Sequence, residues 1–227
     1  VLSADSKAQL IYGFRKDLTE QEFRDAIQNH RLKDVLNYVD AEEGDVFFIE
    51  AGQIHAIGEG LVLAEIQQNS NTTYRVYDWD RVDANGKPRP LHIEKALAVS
   101  NLESSKGHEK TPVLKVEEEG GVRKFLSCCR YFAAEHVEVD SFSNEQTDGR
   151  SFHILLFTDD QTTIRYQGGE IEAHCGESFL IPAEMGEYTV SGKCEYLKFY
   201  VAEFEKDILE PLIDAGYIED EVLALLR

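Results

Sequence analysis

GDVFFIEAGQIHAI, residues 44–57, returns in outline as GESFLIPAEMGEYT at residues 176–189. Each copy opens on a glycine and an acidic residue, runs through aromatic and aliphatic positions, and reaches Glu50-Ala51 or Pro182-Ala183. A short apolar run between turn residues reads as a buried strand. A repeat of that unit within one chain implies two β-domains of the same build. Around the first copy, VFFIEAG, LVLAEIQQ and TTYRVYDW are strand-like, with Gly52, Gly58 and Gly60 as punctuation. Around the second, VRKFLSCCRYFAAEHVEV, FHILLFT, TTIRYQ, ESFLIPA, GEYTVSG and CEYLKFYVAEF follow one another with turn signals at short intervals, the pattern of a sandwich or jelly roll.

Helical sequence is sparse. Residues 1–14 read as strand, turn and strand. Thr19 and Glu22 form a capping box ahead of Phe23, Ala26 and Ile27 on one helical face. Leu32, Val35 and Leu36 suggest a second short helix, with a turn over 34–43. Residues 82–90 form a loop with an Asn-Gly turn, and 91–99 are helix-like. The polar stretch 103–112, ending in Pro112, is the linker candidate. The tail 205–227 reads as helix, with Ile208, Leu209, Leu212 and Ile213 on one face.

Of 227 residues, 42% are hydrophobic and 29% charged, so a packed core is expected. The formal net charge of −20 argues against a nucleic-acid partner, which wants a basic face. It permits a small anionic ligand wherever a few arginines dominate a cleft. No apolar run reaches membrane-spanning length, and the N-terminus has no signal-peptide pattern. The absence of Met at position 1 suggests processing or truncation. Cys128, Cys129, Cys175 and Cys194 lack zinc-finger spacing and read as buried free thiols of a cytoplasmic protein, with a Cys175–Cys194 disulfide as the lesser alternative.

The repeated segments resemble the second half of the cupin signature, G-x5-P-x-G-x2-H. The first copy keeps Gly44, Gly52 and His55, with Glu50 at the proline position. The second keeps Gly176 and Pro182 but carries Glu184 and Glu187 at the glycine and histidine positions. The fold expected is mainly β with some helix: two tandem cupin-like jelly-roll β-sandwich units, the first incomplete at its N-terminus. We assign residues 1–102 to the catalytic unit with a short helical insertion, 103–112 to the linker, 113–204 to a second, metal-free unit with a structural role, and 205–227 to the helical tail.

Chemistry concentrates in residues 44–81. A histidine in a strand is ordinarily a satisfied core residue, but the cupin pattern favours His55 as a metal ligand. One histidine is not a site, because zinc takes three or four protein ligands. Glu65 could reach it from the neighbouring strand. Alternation in TTYRVYDW puts Thr73, Arg75 and Tyr77 on one face and Tyr74, Val76 and Asp78 on the other. An inward Arg75 needs an anion, either a ligand oxygen or one of Asp78, Asp80 and Glu65. Arg81 and Lys87 could catch a phosphate or remain solvated. The run Gln67–Asn71 fits either a polar bulge or sugar recognition.

GQIHAIGEG, QQNSNTTYRVYDWDR and LHIEKAL together resemble type I mannose-6-phosphate isomerases of the short bacterial kind, strongly over 44–100 and more loosely in the second unit. The resemblance implies a Zn2+-dependent aldose–ketose isomerase acting on mannose 6-phosphate and fructose 6-phosphate through an enediolate. It places His55 on a zinc ligand, Arg75 on the active-site arginine, Glu65 on a pocket carboxylate, and Arg81 near a phosphate-binding position. The family's remaining zinc ligands, a Gln-x-His pair and a Glu, precede the matching region. The chain therefore resembles the C-terminal two-thirds of such an enzyme and is expected to be inactive alone. The rival expectation is a non-catalytic cupin module that binds sugar phosphates. A dioxygenase would need two histidines and a carboxylate, which the sequence does not offer.

Overall fold

The computed structural model describes residues 1–79, 81–159 and 161–226. It divides into two compact units, Val1–Lys110 and Thr111–Arg227.

In the first unit, β1 (Ser3–Ala4) pairs with β5 (Leu61–Val62), and β2 (Gln9–Phe14) lies between β3 (Leu36–Asp40) and β4 (His55–Ile57), all antiparallel. Helix α1 (Glu20–Gln28) starts at the expected capping box: the Thr19 hydroxyl accepts from the Glu22 N–H, and the Glu22 carboxylate accepts from the Thr19 N–H. Its apolar face, Phe23, Ala26 and Ile27, is buried. The Phe23 ring meets Phe14 of β2 edge-on at 5.1 Å. Helix α2 (Ile93–Val99) contributes Ala96 and Leu97 to the same core.

Four sequence expectations change here. Leu32–Asp34 is a single 3-10 turn, and the expected turn at 34–43 is largely β3, because Leu36 is buried in the core while the chain pairs with β2. Beyond Leu61–Val62 and the short β4, the segments 46–52, 63–68 and 72–79 are not strands; no ladder partner lies beside them among the described residues. Apolar alternation marks which side chains turn inward, but a strand also needs a neighbour for its backbone. The expected linker is partly fastened to this unit. The Ser105 N–H donates to the Phe14 carbonyl, and Asn37 Nδ2 donates to Glu109.

The second unit is a jelly-roll sandwich. Its strands are β6 (Leu114–Glu118), β7 (Gly121–Cys128), β8 (Ala133–Val139), β9 (Phe142–Gln146), β10 (His153–Phe157), β11 (Gln161–Tyr166), β12 (Gly169–His174), β13 (Ser178–Ile181), β14 (Glu187–Ser191) and β15 (Cys194–Tyr200). They form a six-stranded sheet in the order β13-β10-β15-β8-β7-β6 and a four-stranded sheet in the order β12-β11-β14-β9. All pairs are antiparallel. The two sequence repeats correspond in backbone as well. Gly44 and Gly176 both turn at φ +85°, and His55 and Glu187 are the first residues of β4 and β14. The tail forms a π-helical turn (Phe204–Leu209), α3 (Glu210–Asp214) and α4 (Glu219–Leu223), and its Ile208, Leu212 and Val222 pack on Leu114 and Phe125. Cys128, Cys129 and Cys194 are buried, whereas Cys175 is exposed in a turn, against expectation; all four are free thiols.

The sandwich interior has two parts. Leu155, Phe157, Ile164, Val190 and Val137 fill one. The other holds Arg123, Glu135, Glu145 and Lys198, each less than 10% exposed. Strict alternation places them there: Glu135 sits between Ala133 and Val137 on the inward side of β8, directly across from Lys198 of β15. Arg123 pairs with both glutamates, and Lys198 Nζ lies 2.9 Å from each. Tyr196 and Tyr200 donate hydroxyls to Glu145 and Glu135. Buried charges persist when every partner is present, and no buried side-chain polar atom among the described residues is unsatisfied.

Candidate functional site

Val76 and Asp78 are the buried residues of the segment 72–79, while Arg75 and Tyr77 are only half-buried. The inward face is therefore that of Val76 and Asp78, and the group in need of a partner is the Asp78 carboxylate. Arg89 supplies it. Its Nε donates to Asp78 Oδ2 at 2.7 Å and its Nη2 donates to Oδ1. This two-pronged contact is the main reason the Asp78 carboxyl is held below the usual carboxylate range. Asp80, one of the alternative partners for Arg75, lies outside the described residues.

Arg75 itself is fixed by its backbone. Its N–H donates to His92 Nδ1 at 3.2 Å, and its carbonyl accepts from the His92 N–H at 2.7 Å, which ties the segment to the start of α2. The guanidinium is loosely engaged: Nε is 3.6 Å from Asp78 Oδ1, and Nη1 reaches the Pro90 carbonyl at 3.5 Å. With Asp78 already held by Arg89, most of Arg75's hydrogen-bonding capacity is left for another acceptor. Downstream, Tyr77 and Trp79 pack edge to face at 4.9 Å, and Lys33 Nζ lies over both rings. Trp79 adopts φ +55°, a left-handed conformation rare for an aromatic residue, and the chain bends there.

The other expected residues are more dispersed. His55 is exposed at the start of β4, opposite Tyr12 of β2, with Nδ1 3.0 Å from the Gln53 carbonyl. That bond orients the ring and leaves Nε2 outward. Glu65 is exposed in an extended segment. Arg81 is exposed, and its N–H donates to the Asp78 carbonyl. Gln67–Asn71 is exposed coil with no bulge geometry. Lys87 closes a turn in which its N–H donates to Asp83 Oδ1. Among the described residues, neither His55 nor Glu65 shares a hydrogen bond or ion pair with Arg75.

The donor set around His55 does not fit a zinc ion by itself. The one group of three His, Cys, Asp or Glu side chains with ligand atoms mutually within 4.8 Å, among the described residues, is His136, Glu138 and Glu195 of the second unit. Those residues lie on the outward face of the six-stranded sheet. There Lys124 already bonds Glu138 and His136 Nε2 already meets Glu195 at 2.9 Å, so a cation would have to compete with an ammonium.

Arg89 and His92 were not singled out from the sequence as partners of this site. Their separation along the chain, 11 residues from Asp78 and 17 from Arg75, follows no helical or strand period that would reveal them. The one available signal was Asp78 on the same face as Val76.

Comparison with known proteins finds relatives over most of the chain. The family description "Mannose-6-phosphate isomerase, cupin domain" matches residues 121–201, the body of the second unit. The probable mannose-6-phosphate isomerase GmuF of Bacillus subtilis is 32% identical over 87% of this chain and 61% of its own length. The mannose-6-phosphate isomerase ManA of the same organism is 32% identical over 86% and 61%. A crystal structure of mannose 6-phosphate isomerase from Bacillus subtilis superposes with a TM-score of 0.79 at 26% identity, covering 88% of this chain and 62% of that one. The chain thus spans about three-fifths of the length of the curated relatives it matches. With the repeated glycine-led segments, the jelly roll and these likenesses together, the chain belongs to the type I mannose-6-phosphate isomerase family, which has the cupin fold.

Proposed function

We propose that this chain forms part of a zinc-dependent isomerase that interconverts mannose 6-phosphate and fructose 6-phosphate by moving a proton between C2 and C1 of the open-chain sugar. The observation that supports it most directly is the state of Arg75: anchored by its backbone to His92, half-buried, and left with donors to spare because Arg89 holds Asp78. The proton to be moved is weakly acidic, so the enediolate needs fixed positive charge beside its oxygens, and a prepositioned guanidinium supplies it without reorganisation. Arg81 and Glu65 are assigned to the sugar phosphate, Arg81 toward the phosphate and Glu65 toward hydroxyls. His55 is assigned one zinc coordination position, with the others taken by residues outside this 227-residue stretch. The cytoplasmic location inferred from the sequence is part of the same proposal.

The solitary His55 supports a second reading for the 227 residues alone, a sugar-phosphate-binding module without turnover. Zinc content and turnover separate the two. The chain alone should bind zinc weakly and not convert mannose 6-phosphate. Joined to a segment carrying the family's other ligands, it should do both, and Arg75→Ala should then lower turnover by about 10²-fold or more with folding retained. Normal turnover in a folded Arg75→Ala protein would refute the role of this residue.

A further inference from the structure

The second unit has a half-open cleft of about 260 Å³ at the polar end of its sandwich, just under the ~300 Å³ at which small-molecule pockets begin. Arg123, Glu135, Glu145, His153, Lys198 and Tyr200 line its depth. Arg150 and Lys206, both substantially exposed, stand at its mouth. A family of jelly rolls needs no such hollow for stability, since buried ion pairs are often no better than apolar packing.

Two features show that the hollow is built to take hydrogen bonds. His153, at 7% exposure, uses Nδ1 on the Tyr188 hydroxyl at 2.8 Å. Its Nε2 makes no hydrogen bond to another described residue and, since no buried side-chain polar atom among those residues lacks a partner, that nitrogen is accessible from the cleft it lines. Its ring is held on two sides, with Tyr188 at 5.9 Å and Tyr200 at 5.5 Å between centroids. Lys198 Nζ meets Glu135 and Glu145, which occupies two of an ammonium's three donors. Nζ also lies 4.9 Å from the centroid of the Tyr200 ring, and both residues line the cleft.

The charges define what fits. Arg123 and Lys198 balance Glu135 and Glu145, and at the rim Arg150 and Lys206 stand with Glu118, Asp148 and Asp207. An anion would meet two buried carboxylates already satisfied by the cations it seeks. A cation would meet carboxylates already engaged by arginine and lysine. A neutral hydroxyl disturbs neither balance. It can accept from Lys198 Nζ and donate to a carboxylate lone pair, and a neighbouring hydroxyl can pair with His153 Nε2. Val116 and Phe125 of the lining offer apolar surface to carbon-bound hydrogens. We infer that the second unit carries a binding site for a small neutral polyhydroxylated molecule, a free sugar or polyol, read by His153 Nε2 and Lys198 Nζ. This site is independent of the isomerase reading, which concerns the first unit.

The test uses the full 227-residue chain labelled with 15N. D-mannose, D-glucose and glycerol are titrated as neutral probes, and inorganic phosphate and mannose 6-phosphate as anionic ones, while the His153 ring nitrogen resonances are followed. The expected result is a saturable shift with at least one neutral probe and none with phosphate. In His153→Phe, which keeps the ring packing against Tyr188 and Tyr200, affinity for that probe should fall about tenfold, the equivalent of one hydrogen bond to a buried group. Because that variant could lose its fold, its circular dichroism is compared with the wild type, and Val116→Trp at the cavity wall serves as a second variant that should weaken binding without touching His153. No shift with any neutral probe, a response to the anions alone, or undiminished affinity in either folded variant would overturn the inference.

Discussion

Replacing Lys198 by methionine tests whether the charges inside the second unit act as one balanced set. Lys198 Nζ lies 2.9 Å from both Glu135 and Glu145. At an effective dielectric near 20, each contact is worth about 6 kcal/mol of gross attraction, and desolvation of the ammonium offsets most of it. What removal exposes is the imbalance: two buried carboxylates sharing Arg123, which also serves Glu118. Breaking a buried set in this way costs about 3–5 kcal/mol. The loss should depend on pH with a definite sign. In the wild type, burial alone would raise the Glu145 carboxyl, but Arg123 and Lys198 outweigh it and hold it well below the usual range. Its contribution to stability is therefore complete above an unfolded value of ~4.3 and is lost only as pH falls toward the depressed folded value. Without Lys198, Arg123 alone must hold both carboxylates against burial, and the carboxyl it holds less well should titrate above ~4.3. The variant is then least stable near neutrality and recovers as acid protonates that group. Urea unfolding followed by circular dichroism should show a deficit at pH 7.5 that narrows by pH 5, and Lys198→Met/Glu145→Gln should regain part of it at pH 7.5. A deficit below about 1 kcal/mol, or one that does not vary with pH, would refute the reasoning.

His153 gives a second pH signature: burial first, then the Lys198 charge, lower its pKa to about 4. The unfolded chain takes up this proton below ~6.5, so stability should fall by about 2–3 kcal/mol as pH drops from about 6.5 to about 4, and this slope should be missing from the urea midpoints of His153→Phe. Thr19→Ala removes the hydroxyl that caps α1 and should cost about 1 kcal/mol, read from Trp79 fluorescence, since the single tryptophan lies in the first unit. At Gly13, φ is +66° and an added Cβ would lie 2.1 Å from Ser105 Oγ and 2.2 Å from Gln53 Nε2. Gly13→Ala should therefore lower the same midpoint by more than about 1 kcal/mol, whereas Gly86→Ala, with open space around it, should cost less.

The repeated glycine-led segments, the capping box at Thr19 and the short alternating runs after residue 120 were enough to anticipate a mainly β chain with two related units. Local chemistry decides each of these: positive φ selects glycine, an orphan N–H selects a capping hydroxyl, and the pleat sets a period of two. The same alternation singled out residues 73–78 but could not say which face turned inward, because a period has two phases and packing chooses between them. Only the tertiary structure shows Val76 and Asp78 inside, Arg89 on Asp78, and His92 against the Arg75 backbone. Nor could the sequence show that Arg123, Glu135, Glu145, His153 and Lys198, each an ordinary polar residue on its own strand, meet in one hollow. Strand order brings them together, and strand order is fixed by pairing between segments far apart in the chain. A charged side chain at an inward position declares itself only when its partners are seen, since the energy that allows it to be buried belongs to the set and to no single residue.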